Sequence, residues 1–314
     1  MEEDEGPAAV TAPRYLALTV TASPEAGEAV AALLHEAPTG GLVEEEESAG
    51  RIRLRAYLPA GPAAEERIAA LRRRLAALPA FGLGTQPPTV TVEVVQAQAW
   101  ASAWKAHFHA FPVGRRLWVT PTWEAPALPA GALVITLDPG MAFGSGLHPS
   151  TRLCLQLLEE HLRPGDALAD IGTGSGILAI AAARLGAGSV FAVDHDPVAV
   201  EVARANAAAN GVGDRVTVIR GHLLDPLTAP VDLILANLTA DLLSDLAPLL
   251  PPRLRPGGRV IASGVAAPRI AEVRRAFAAA GLPIATEVAD EEWRALVATT
   301  GVAEAPPGSP PREV

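Results

Sequence analysis

Two carboxylates and a set of closely spaced glycines form the part of this chain best suited to hold a small molecule. Residues 168–196 read LADIGTGSGILAIAAARLGAGSVFAVDHD. An apolar run ends in Asp170, Gly172, Thr173, Gly174 and Gly176 follow, and a helical run opens near Ile177. Glycines permit a tight turn and close approach of backbone to ligand. A helix N-terminus adds a favourable positive end. The next apolar run ends in Asp194, 24 positions after Asp170, where a carboxylate can accept both hydroxyls of a ribose. A dinucleotide fingerprint, G-x-G-x-x-G, needs a glycine where the chain has Ile177 or Ala179. The pattern is instead G-x-G-x-G with an acid two positions ahead. A glycine turn that binds nothing is the competing reading, and the acid on the following strand weighs against it.

Three further places carry chemistry. The run VDLILAN ends in Asn237, a polar residue at the mouth of an apolar strand. Its carboxamide oxygen can accept a hydrogen bond from an amine; otherwise it caps the helix that follows. Gly221-His222-Leu223-Leu224 follows another strand, and His222 is either a ligand contact or an exposed loop histidine. The stretch 138–151, DPGMAFGSGLHPST, lies between a strand and a helix. Gly140, Gly144 and Gly146 surround Phe143 there, and His148 follows. A loop with one aromatic and one polar group can close over a bound group.

The acid and G-x-G-x-G pattern resembles motif I of class I S-adenosylmethionine-dependent methyltransferases. Residues 138–151 closely resemble the signature D-P-G-x-A-F-G-T-G-x-H-x-T-T of the PrmA family, the bacterial methyltransferases of large-subunit ribosomal protein eleven; Ser145 and Ser150 stand in for threonines. The resemblance continues through Trp104-Lys105, Phe111-Pro112-Val113-Gly114, Pro121-Thr122-Trp123, Asn237-Leu238 and Glu292-Trp293. It spans roughly residues 96–300, while the first ninety match mainly in pattern. It implies S-adenosylmethionine as cofactor and no metal. Asp170 would sit near the methionine end and Asp194 on the ribose, with Gly172, Thr173, Gly174, Gly176 and Thr151 as further cofactor contacts. His222 and Leu223 would lie by the adenine. Asn237 would touch the cofactor and orient the amine, Phe143 would shield the methyl group, and Trp104 would line the entrance. His148 would order the loop or act as a base. The implied targets are lysine side chains and the N-terminal amine of the ribosomal protein. In the family a small first domain captures that protein and swings on a linker.

The elements needed to position these residues are legible as patterns. Residues 15–22, 42–47, 51–58 and 89–95 read as strands and 24–37 and 62–78 as helices, a β-α-β-β-α-β order of ferredoxin-like α+β type. Ile68, Leu71, Leu75 and Leu78 form one apolar stripe. Residues 48–50 read as a hairpin turn. From 132 onwards strands alternate with helices: strands at 133–137, 167–171, 189–193, 215–219, 231–236, 259–263, 284–288 and 294–300, and helices near 149–162, 177–186, 197–210, 240–250 and 268–280. This rhythm predicts a mostly parallel sheet, covered on both faces, and the resemblance implies that it is a Rossmann-like class I methyltransferase domain. Ligands then lie beyond the strand C-termini, at the switch in strand order. The expected domains are 1–95 for substrate recognition, 96–130 as an aromatic-rich linker with a short helix at 97–108, 131–302 for catalysis, and 303–314 as a disordered tail, with the first dozen residues disordered as well.

Composition narrows the alternatives. Aromatics make up only 4% of the 314 residues, yet Trp100, Trp104, Trp118 and Trp123, four of five tryptophans, fall within 96–130. They either cement a domain junction or line a substrate path. The net charge is −10, with no basic stripe for nucleic acid. One cysteine, Cys154, excludes an internal disulfide, and the seven histidines show no ligand spacing. The acidic start and the absence of a long apolar run predict a cytoplasmic protein with no membrane partner. The lack of heptads predicts a monomer. Another protein or a nucleic-acid amine remains the alternative substrate. Asn237 resembles the opening of the N-P-P-Y element of enzymes acting on planar amides and bases, but the chain continues Leu238-Thr239-Ala240, without the prolines or the aromatic. A dinucleotide oxidoreductase and an inactive binding protein are the readings from other classes.

Overall fold

A computed structural model describes residues 14–36, 42–47, 51–96, 108–138 and 144–301. The described residues up to 109 form one compact unit, and those of 110–138 and 144–301 form a second.

In the first unit, β1 (Arg14–Ala22), α1 (Gly27–Glu36), β2 (Leu42–Glu47), β3 (Arg51–Pro59), α2 (Pro62–Ala77) and β4 (Thr89–Gln96) follow in the expected order. The sheet runs β2-β3-β1-β4 with every neighbouring pair antiparallel. Alternation buries Leu18, Val20, Leu54, Ala56 and Leu58 on one face, against Val30 and Leu34 of α1 and Ile68, Leu71 and Leu75 of α2. The stripe read from sequence is therefore the core face of α2 and of the 3-10 turn after it, where Leu78 lies. Residues 48–50, placed in a hairpin turn by sequence, lie outside the described residues.

The second unit opens with β5 (Phe111–Val113), β6 (Leu117–Thr120) and β7 (Leu133–Thr136) in a small sheet, β5-β6 antiparallel and β6-β7 parallel. Then come α3 (Pro149–His161), β8 (Ala167–Ile171), α4 (Ile177–Leu185), β9 (Ser189–Asp194), α5 (Pro197–Ala209), β10 (Val216–Arg220), β11 (Val231–Asn237), α6 (Ala240–Leu246), β12 (Leu254–Ala266), α7 (Ile270–Ala279), β13 (Ile284–Asp290) and β14 (Trp293–Thr299). The seven-stranded sheet is ordered β10-β9-β8-β11-β12-β14-β13. It is parallel as far as β12, and β14 runs antiparallel to both neighbours. Strand order reverses between β8 and β11, which places the ligand crevice beyond their C-terminal ends.

The sequence chemistry explains this arrangement. Leu233 to Ala236 are fully buried, as central strands covered on both faces must be. Helix α4 buries every residue from Ile177 to Ala183, and its alanines supply no bulk to hold it away from its neighbours. Arg259 within β12 is 7% exposed; its guanidinium donates to Asp166 at 2.6 Å and to the His161 carbonyl, tying the end of α3 to the strand.

Several boundaries differ from expectation. The helix expected over 240–250 stops at Leu246 and gives way to 3-10 turns at Ala247–Leu249 and Pro251–Arg253, because Pro248, Pro251 and Pro252 lack the donors an α-helix needs. The strand expected at 259–263 extends over thirteen residues. Residues 111–120, expected in the linker, join β7 in the small sheet, β6 pairing with both β5 and β7. Most of the helix expected at 97–108, with Trp100 and Trp104, lies outside the described residues, as do Phe143, the first dozen residues and the tail. Among the described residues no helix is long and apolar enough to cross a membrane.

Candidate active site

The glycine turn is built by the two strands beside it. The amides of Gly172 and Thr173 both donate to the Val193 carbonyl, at 2.8 and 3.0 Å, locking the end of β8 to the end of β9. Gly172, Gly174 and Gly176 have φ of 73°, 54° and 83°, the left-handed region where side chains are strained. A Cβ on Gly172 would fall 2.5 Å from Leu238, and one on Gly176 would meet Ala203 of α5 at 3.2 Å. Close packing across the crevice and onto α5 therefore adds to the conformational demand. Ser175 Oγ donates to the Gly144 carbonyl at 2.6 Å, and Asn206 Nδ2 donates to the Ser175 carbonyl at 2.8 Å. Gly144, midway along 138–151, is thus held against the turn.

Asp170 is fully buried. Thr173 Oγ1 donates to its Oδ2 at 2.6 Å, and Oδ1 has no partner. Burial pushes its carboxyl up to about 7, with the Asp194 charge adding to the rise and hydrogen bonds from Thr173 and the Ala179 backbone opposing it. Asp194 ends β9 and is 8% exposed. Its Oδ2 accepts from Gly174 N–H at 2.9 Å and its Oδ1 from Asp196 N–H at 3.0 Å. A carboxylate offers about four acceptor sites, so both oxygens keep a lone pair for ribose hydroxyls.

These residues fit S-adenosylmethionine. The partnerless Asp170 oxygen is matched by the cofactor's ammonium, the glycine backbone leaves room for its chain, and Asp194 suits its ribose. Past β10, the Gly221 amide donates to the Asp194 carbonyl at 2.9 Å. His222 is exposed, and Leu223 is half-buried with φ of 45°, a strained value for leucine at the rim of a binding site.

Asn237 ends β11 and is half-buried. Its Nδ2 donates to Thr151 Oγ1 at 3.3 Å, and Thr151 is itself buried on α3. The next amide, Leu238 N–H, donates to the Ser263 carbonyl at 3.0 Å. The alternative that Asn237 caps the following helix is overturned: Thr239 caps α6, its side chain accepting from Leu242 N–H. His148 caps α3 through Nδ1 and meets the Trp293 ring edge-on, with centroids 4.5 Å apart. Cys154 is buried, and burial raises its thiol pKa far above the usual range, which makes it inert packing. Among the described residues no group of three or more His, Cys, Asp or Glu could hold a metal. Phe143 and Trp104 lie outside the described residues.

Sequence reasoning missed Ser175, Ser263 and Gly264. Gly264 has φ of 85°, and a Cβ there would collide with the Leu238 carbonyl oxygen and lie 2.9 Å from Asn237 Oδ1. The register of β12 against β14 shifts at this point. A lone glycine inside a β-run is the signal that marks such a bulge or close approach.

Comparison with known proteins identifies the family. The sequence model described as ribosomal protein L11 methyltransferase (PrmA) matches residues 14–301. A ribosomal protein L11 methyltransferase of Pelotomaculum thermopropionicum is 42% identical over 306 residues, 90% of this chain and 98% of that one. The protein of the same name from Geobacillus kaustophilus is 38% identical over 309 residues, 91% of this chain and 99% of that one. The crystal structure of ribosomal protein L11 methylase from Lactobacillus delbrueckii subsp. bulgaricus is similar with a TM-score of 0.58 and 34% identity, covering 62% of this chain and 99% of that one. The chain therefore belongs to the PrmA family of S-adenosylmethionine-dependent methyltransferases, with a Rossmann-like class I fold and an additional β-rich N-terminal subdomain.

Proposed function

We propose that this enzyme methylates lysine side chains and the N-terminal amine of ribosomal protein L11, working as a monomer in the cytoplasm. The observation that carries the reading is the Asn237 carboxamide at the switch point, with its nitrogen engaged by Thr151. That leaves the carbonyl oxygen to accept from an incoming amine. The cofactor supplies an electrophilic methyl group on sulfur. The residues around it align and desolvate the nucleophile, and such positioning accounts for much of the rate of an in-line displacement.

The amine must be neutral to attack. A lysine has a reference pKa near 10.4 and an α-amine near 7.7–8.0, and desolvation lowers both. Leu238 beside Asn237 contributes to that apolar setting. Asp170, Gly172, Thr173, Gly174, Gly176, Asp194, Leu223, His222 and Thr151 hold the cofactor.

The first unit has the strand order of a ferredoxin-like domain and is read as the substrate-recognition domain, and the second unit, which takes in 110–138 and 144–301, as the catalytic domain. The test uses isotopically labelled S-adenosylmethionine with a mixture of purified ribosomal proteins. Label on L11 amines supports the reading, and label on another protein or on RNA with none on L11 refutes it.

A further inference from the structure

We propose that His148 is a positioning residue for methyl transfer: as the N-cap of α3 it fixes the first turn of that helix and, through Thr151, the sense of the Asn237 carboxamide. The inference rests on the amine-orienting role given to Asn237 above.

Three contacts make the connection. His148 Nδ1 accepts from Ser150 N–H at 3.3 Å and lies 2.7 Å from Ser150 Oγ. A ring nitrogen thus does what a Ser, Asp or Asn oxygen does at most caps. The His148 carbonyl accepts the amides of Thr151 and Arg152 at 3.0 and 3.1 Å, and Pro149 at the first helical position needs no donor partner. Thr151, held by that carbonyl, presents Oγ1 to Asn237 Nδ2. Across the ring, Trp293 abuts the imidazole at an interplanar angle of 69°. Trp293 pairs with Ala266 of β12, the strand that carries Ser263 and Gly264 beside Asn237. The imidazole is therefore gripped between the helix it caps and a strand of the sheet that bears Asn237.

The same geometry argues against a base role at Nδ1. That nitrogen is taken up by the cap, accepting from Ser150 N–H at 3.3 Å and lying 2.7 Å from Ser150 Oγ. Protonating it would set a donor against a donor and place positive charge at the positive end of the helix.

Two substitutions separate the roles. His148→Ala keeps the carbonyl contacts and removes the ring cap. His148→Asn keeps a good capping side chain with no basic nitrogen. We expect His148→Ala to lower kcat about tenfold, as a small misplacement of a reacting group does, with cofactor Kd changed less than about twofold. His148→Asn should restore kcat to within about threefold of wild type. In His148→Ala combined with Thr151→Val, the loss should match the larger single loss, because both act on one carboxamide. Nuclear magnetic resonance reads the positioning without turnover: the Asn237 side-chain amide signals should shift in His148→Ala and return in His148→Asn. Unmoved Asn237 signals in His148→Ala, or a His148→Asn enzyme as impaired as His148→Ala, would overturn the proposal. Inactivity of the wild type towards L11, with Asn237 signals responding as expected, would instead count against the substrate assignment alone.

Discussion

Thr173 Oγ1 donates to Asp170 Oδ2 at 2.6 Å within one turn of chain, leaving Oδ1 of the same carboxylate buried and without a donor. An unmet buried acceptor of this kind is costly, and a proton or a ligand's ammonium relieves the cost. The first is available in the free enzyme and the second on cofactor binding.

Cofactor affinity should therefore depend on pH. Asp170, raised to about 7 by burial, holds a proton below that value and must lose it to meet an ammonium. Affinity should climb by up to about tenfold per unit as pH rises towards 7 and level off above it. Stability of the free enzyme should move the other way. The folded state binds the extra proton, so Asp170 costs stability as pH rises from about 4 to 7, up to about 4 kcal/mol. Asp170→Asn should abolish both trends. Calorimetric titrations and thermal melts across this range check the pair, and a pH-independent affinity in the wild type would contradict the assignment.

Asp194 and Asn237 should separate kinetically. Asp194→Ala removes the carboxylate proposed to hold the ribose and its contacts to Gly174 and Asp196. It should weaken cofactor binding by about 2–3 kcal/mol, or roughly 30- to 160-fold. Asn237→Ala should lower kcat by about a hundredfold while cofactor Kd changes by less than about threefold. Equal losses of affinity and turnover in Asn237→Ala would remove it from the amine's path.

Gly264→Ala should damage the site without touching a ligand. The added methyl meets the Leu238 carbonyl and Asn237 Oδ1, and the left-handed backbone adds about 1–3 kcal/mol of strain. Turnover should fall by about a hundredfold along with the melting temperature. Wild-type turnover in the variant would show that the bulge does not set the Asn237 geometry.

Arg259→Ala tests the frame behind the site. It leaves Asp166 without the partner it holds at 2.6 Å, and breaking a buried pair costs about 3–5 kcal/mol. Denaturant unfolding should show that loss, while a change below about 1 kcal/mol would mean that water replaces the guanidinium.

What could be read in the sequence divides along physical lines. Asp170, the glycines and Asp194 were legible because a short stretch of chain contains both strand ends and the turn. Asn237 was legible as a polar residue closing an apolar strand. Its partner Thr151 lies 86 residues away, and no local pattern records a contact at that separation. The capping use of His148 was hidden for another reason: caps favour oxygen side chains, so a histidine before Pro149 does not announce one. The small sheet of Phe111–Val113, Leu117–Thr120 and Leu133–Thr136 escaped notice as a unit because strands of three or four residues are too short to show a period. Gly264 carried a readable signal, a glycine within VIASGVA, that only the bulge explains.

The central claim, methyl transfer to amines of L11 oriented by Asn237, is tested most directly by intact-mass spectrometry of purified L11 after incubation with the enzyme and S-adenosylmethionine. The account predicts mass increments of whole methyl groups, located by peptide mapping to lysine and N-terminal amines and strongly reduced with Asn237→Ala. An unmodified L11 after incubation with cofactor-binding wild-type enzyme, or modification undiminished by Asn237→Ala, would contradict it.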